Sequence, residues 1–158
     1  MSPVPATVAV AAPAGAPPGV VPAAVAAVQR SAELVAEASR EPDGAMRFAL
    51  ARLAGLTTAW AACAGSVYDA ARAGSAGPWA LLATVRPELA AWAATFAASD
   101  RRWSALCRGD SAGAVPADRA ATDQAADALL QAAEAFRAVV FPAPATPGQP
   151  RGTATTAA

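Results

Sequence analysis

The chain has no histidine, no lysine and only two cysteines. Lack of histidine excludes Ser-His-Asp and Cys-His catalysis, His-bearing zinc sites and imidazole general-base chemistry together. Lack of lysine excludes a phosphate loop ending in Gly-Lys-Ser/Thr, and no GxGxxG fingerprint occurs. Cys63 and Cys107 belong to no CxxC pair and cannot build a Cys₄ zinc site, so they read as reduced thiols of a cytoplasmic protein. Neither a cofactor nor a metal is expected.

Charge of either sign is scarce. Twelve arginines balance twelve acids to a formal net charge of zero, which disfavours wholesale attraction to nucleic acid or anionic lipid. Long uninterrupted apolar runs are missing too. The first twenty residues are apolar but carry no basic residue and are broken by Pro3, Pro5, Pro13, Pro17 and Pro18, unlike an export signal. Beyond Val20, Arg30, Glu33, Glu37 and Arg40 interrupt any membrane span. No alternation of β-branched and polar residues suggests a strand.

What remains is alanine, about a third of the chain, arranged in helical periods. Residues 1–20 and 142–158, rich in Pro and Ala, are expected to be disordered tails flanking a bundle over 21–141. A first helix is predicted from Pro22 to Glu41, with Val21, Val25, Val28, Ala32 and Val35 as its apolar stripe. Asp43 offers an N-cap for a second. Its stripe of Met46, Leu50, Leu53, Thr57, Trp60, Ala64, Val67 and Ala71 steps by four and three.

Pro78 opens a short helix that should end near Arg86, before Pro87. The next carries Leu89, Trp92, Phe96, Ser99, Trp103 and Leu106 on one side, with Ser99-Asp100-Arg101-Arg102 as a polar interruption that weakens its second half. The last, from about Ala117 to Val140, turns Ala125, Leu129, Ala132, Phe136 and Val140 inward. Short turns favour antiparallel neighbours, giving an all-α, compact antiparallel four-helix bundle with one additional short helix. Because alanine removes little apolar surface from water, the core must rest on the large side chains: Trp60, Trp79, Leu89, Trp92, Phe96, Leu129 and Phe136.

The polar residues offer few sites. Asp123, Asp127 and Glu134 share the last helix but read as a solvated face, since a di-iron bundle would need a Glu-x-x-His pair. Arg101 and Arg102 beside Trp103 form the densest basic cluster, suited to phosphate contact or to an interface.

The run Trp79-Ala80-Leu81-Leu82, Val85-Arg86-Pro87-Glu88-Leu89, Trp92 and Phe96 resembles a small actinobacterial family of HEPN-like domains. So does the closing helix, with Ala126-Asp127-Ala128-Leu129-Leu130 and Ala133-Glu134-Ala135-Phe136. The resemblance spans about residues 22–141. It implies a four-helix bundle, a homodimer, and the toxin-antitoxin or defence setting of metal-independent ribonucleases whose motif is Arg and His separated by four to six residues. After Arg119 that His would stand at Gln124, Ala125 or Ala126, and after Arg102 at Cys107, Arg108 or Gly109; none is present. The implied function is therefore a non-catalytic HEPN-like module binding RNA, nucleotide or a protein partner, with Arg101, Arg102 and Arg119 as contacts. The alternatives are a ribonuclease acting without His and a structural scaffold.

Overall fold

The structure is a computed structural model that describes residues 20–64, 77–108 and 116–142. The expected tails, the turn before Gly77 and the loop after Arg108 lie outside the described residues. The chain forms α1 (Val20–Ala38), α2 (Gly44–Cys63), α3 (Pro78–Val85), a 3₁₀ turn (Pro87–Leu89), α4 (Ala90–Cys107) and α5 (Pro116–Val140). Among the described residues there is no strand.

Helix boundaries follow local chemistry. α1 stops at Ala38, three residues before the expected end. Ahead of Pro42 its last bonds tighten to i−3, Arg40 N–H to the Glu37 carbonyl and Glu41 N–H to that of Ala38. Asp43 caps α2, its carboxylate accepting the Met46 N–H at 2.9 Å. Gly77, with Pro78 as first helical residue, opens α3. The polar quartet does not interrupt α4, which is continuous to Cys107. Ser99 turns inward and bonds the Phe96 carbonyl, and Asp100 has partners on two other helices.

α2 is the central helix, and its orientation corrects the sequence reading. It packs between α1 and α5 and also meets α3 and α4. Its buried face is Gly44, Phe48, Ala51, Ala54, Gly55, Thr58, Ala59 and Cys63, nearly opposite the expected stripe. Met46, Leu53 and Trp60 are exposed, so Trp60 is not a core residue. A helix with four neighbours buries the face that lets them come near, and here that is the small-residue face. A Cβ on Gly55 would strike the Phe96 ring, and one on Gly44 would strike Asp123. Val67 and Ala71, the end of the expected stripe, lie outside the described residues.

The α1 stripe is shifted as well. Ala24, Ser31, Leu34 and Ala38 are buried, while Val25, Val28, Ala32 and Val35 are only partly so. The reason is polar. The Ser31 hydroxyl lies 2.7 Å from that of Thr58 and 3.2 Å from the Ala54 carbonyl, which sets the α1–α2 register in a fully buried setting.

Aromatic side chains join the remaining helices. Trp79 stacks on Phe96 at 5.1 Å between centroids, and Phe136 meets both Phe96 and Trp92 at 5.5 Å. Leu82, Leu89 and Leu129 complete this core, with Trp92 and Trp103 partly buried against it. Arg47 ties the α1–α2 turn to α5. It donates to the Glu41 carbonyl and pairs with Asp127 at 3.0 Å and Asp123 at 3.4 Å, so these two acids hold a helix contact instead of forming a purely solvated face.

Candidate functional site

The rings that join α4 to α5 also hold them apart. Trp92 and Phe96 meet Phe136 where the start of α4 faces the end of α5, which sets a wide spacing there. Towards the other end, the facing residues are Ala98 on α4 and Ala121, Ala125, Ala128 and Ala132 on α5, too short to close the gap. The result is an open groove of about 650 Å³, floored by Phe48 and Leu129. An alanine-rich sequence with aromatics at one end of a helix pair leaves this shape by packing alone.

The groove's polar groups are few. Thr95 and Ser99 line it, but their hydroxyls are spent on the Ala91 and Phe96 carbonyls. Arg102 and Gln124 line it too. The Arg102 guanidinium reaches across to the Ala121 carbonyl at 3.0 Å and so bridges α4 to the first turns of α5. Arg119 lies two residues before that carbonyl, exposed, at the same end of the groove. Neither Arg119 nor Arg101 has an ion pair among the described residues, and Arg101 does not line the groove. The groove thus brings together Arg102 and Gln124, while neither Arg119 nor Arg101 lines it.

Sequence reasoning singled out the arginines but not Thr95, Ser99 or Phe48 as neighbours of a ligand space. The steps of four between Ala121, Ala125 and Ala128–Ala132 were the available signal. They mark a helix face built mainly of alanine, with Leu129 and Gln124 as its larger members.

The run around Pro87 performs structural work. Arg86 donates to Glu88 and, at 3.4 Å, to the Ala62 carbonyl, fastening the α3–α4 junction to α2. The hydrogen bond from Arg86 holds the Glu88 carboxyl below the usual range. Burial pushes the Cys63 thiol up, opposed in part by the Arg86 charge, whereas Cys107 is exposed. Iodoacetamide is therefore expected to alkylate Cys107 in the folded protein and Cys63 only once denaturant is added, as read by intact and peptide mass. Equal rates at both thiols would contradict the burial of Cys63. Because the folded thiol binds its proton more tightly, its contribution to stability is complete below the ordinary thiol range and declines as alkaline pH rises through the raised value.

Among the described residues no group of three or more Cys, Asp or Glu could hold a metal, and no helix is long and apolar enough to cross a membrane.

No curated protein and no solved structure matches the chain. The family model described as SAV_6107-like HEPN matches residues 38–141, beginning at the last residue of α1 and leaving the rest of that helix outside. Within the match lie the aromatic core, the α3–α4 junction and the whole α4–α5 groove, and since it covers well over half of the sequence, the chain belongs to the SAV_6107-like HEPN family.

Proposed function

We propose that this HEPN domain is a non-catalytic binding module that holds an RNA or nucleotide phosphate at the Arg102 end of the α4–α5 groove, with Arg119 on the first turn of α5 as a further contact. The observation that carries the reading is Gln124. It lines the groove with Arg102 and follows Arg119 by five positions, within the interval where the resemblance calls for His. A carboxamide neither takes up a proton near neutral pH nor becomes a cation, so it cannot activate a ribose hydroxyl. Guanidinium groups still serve as phosphate contacts, and the apolar floor of Phe48 and Leu129 accepts an apolar face without hydrogen-bond demands. One free thiol buried and one exposed suit a reducing compartment such as the cytoplasm.

The test is incubation of the purified protein with mixed RNA, followed by gel analysis at several salt concentrations. The expected result is intact RNA and a shift that fades with salt, weakened by Arg102→Ala and Arg119→Ala. Cleavage lost in either variant would overturn the non-catalytic assignment. Absence of any salt-dependent shift would leave the scaffold reading in its place.

A further inference from the structure

The four polar side chains that line the α4–α5 groove differ in what they can offer a ligand. Thr95, Ser99 and Arg102 stand at steps of four and three on α4, so they share one face over about 10 Å of helix. The Thr95 and Ser99 hydroxyls each donate their single proton to a carbonyl of their own helix, Ala91 at 3.1 Å and Phe96 at 2.7 Å. Their lone pairs remain, so towards the groove both oxygens accept and neither donates. Arg102 can only donate. Gln124, on the opposite wall and one turn beyond the Ala121 carbonyl that Arg102 holds, does both. No carboxylate lines the groove among the described residues.

We infer that the groove selects a nucleotide whose base carries an exocyclic amine, the amine set between Thr95 and Ser99 and the phosphate on Arg102; this rests on the phosphate-binding reading above. Residues four apart on a helix hold their Cβ atoms about 5–6 Å apart, so the two N–H groups of one amine can reach both hydroxyl oxygens. Each such bond is added to one the hydroxyl already makes. A lactam edge, as in hypoxanthine or uracil, brings a single N–H beside a carbonyl. That carbonyl either meets oxygens with no free proton or takes a proton from a helix carbonyl, which only exchanges one bond for another. Ser99 is buried, which leaves little water to compensate the Phe96 carbonyl it would abandon. Size agrees with the assignment. The span from Thr95 to Arg102 is comparable to that of a nucleoside 5′-monophosphate from base edge to phosphate, and a space of about 650 Å³ is of the size that holds one small ligand. Gln124 lies between the two ends, where ribose hydroxyls, donors and acceptors themselves, suit its carboxamide.

The experiment titrates the full chain with AMP, IMP, CMP and UMP by isothermal calorimetry, each purine or pyrimidine pair exchanging an amine edge for a lactam edge on a ring of the same size. AMP is expected to bind about threefold to tenfold more tightly than IMP, and CMP than UMP by a similar factor, the worth of one added hydrogen bond. Thr95→Val with Ser99→Ala should bring both ratios to about one. Helicity should be unchanged, because the bonds removed lie within α4 and join no other helix. Arg102→Ala should weaken all four nucleotides and leave the ratios as they were. Equal affinity within each pair, with the loss on Arg102→Ala retained, would overturn the amine selection and leave the phosphate reading standing. A preference that survives the Thr95→Val, Ser99→Ala double variant would likewise overturn it, by placing the amine elsewhere. Binding of none of the four, or binding indifferent to Arg102→Ala, would overturn the phosphate reading and this inference with it.

Discussion

Replacement of Phe96 by alanine is expected to lower stability by about 3–5 kcal/mol, enough to unfold much of the population of so small a bundle. Phe96 is fully buried, stacks on Trp79, touches Phe136 and lies over the Cα of Gly55. It therefore joins α2, α3, α4 and α5 at one point. Trp79 and Phe136 are held in their own packing, and the alanines between them are too short to fill the space it would leave. Urea denaturation followed by circular dichroism measures the loss; a decrease under about 1 kcal/mol would mean that the helices collapse into the cavity, contrary to the packing described. The contact with Gly55 supplies an internal control. Gly55→Ala adds helix propensity worth about 1 kcal/mol but drives a methyl into the Phe96 ring, whereas in the Phe96→Ala background that obstacle is gone. The two substitutions should therefore be strongly non-additive.

Asp100→Ala is the second large effect, at about 2–3 kcal/mol. Its carboxylate accepts from Arg52 of α2 at 2.5 Å and from the Trp79 indole of α3 at 2.7 Å, so one α4 residue fastens three helices. Truncation leaves two donors without an acceptor, one of them on a ring that is itself buried. Asp100→Asn should cost less, since its remaining oxygen still accepts one of the two while its amide faces a donor. A double-mutant cycle with Arg52→Ala, read by urea denaturation, isolates the ionic part. Stability of Asp100→Ala within about 0.5 kcal/mol of the parent would show that the pair is solvated and that the α3–α4 region rests on packing alone.

These positions also show where sequence reasoning succeeded. Phe96, Leu89, Leu129 and Phe136 recur at helical intervals on helices that press one face against the bundle, and there the largest apolar residues go inward. The same rule misplaced Met46, Leu53 and Trp60. α2 has several neighbours, and the face that permits their approach is the one bearing Gly55 and Ala59, which periodicity in large residues cannot detect. Asp100 read as a helix breaker because a lone chain does not reveal that Arg52 and Trp79 converge on it.

At the candidate site, Arg102 and Arg119 stood out by charge, and Gln124 by occupying a position where histidine was missing. That Arg102 and Gln124 border one groove was not legible. It depends on how far Trp92 and Phe96 push α4 from α5, and on alanines that fail to close the gap. Composition and spacing by themselves determined the helices, the N-cap at Asp43, the helix start at Pro78, and the exclusion of histidine- and lysine-dependent chemistry. These are local properties of side-chain type and backbone propensity. Tertiary structure alone decided which face of α2 is inside, what Asp100 holds, and where the groove opens, because each depends on the distance between helix axes, a quantity set by every neighbour at once.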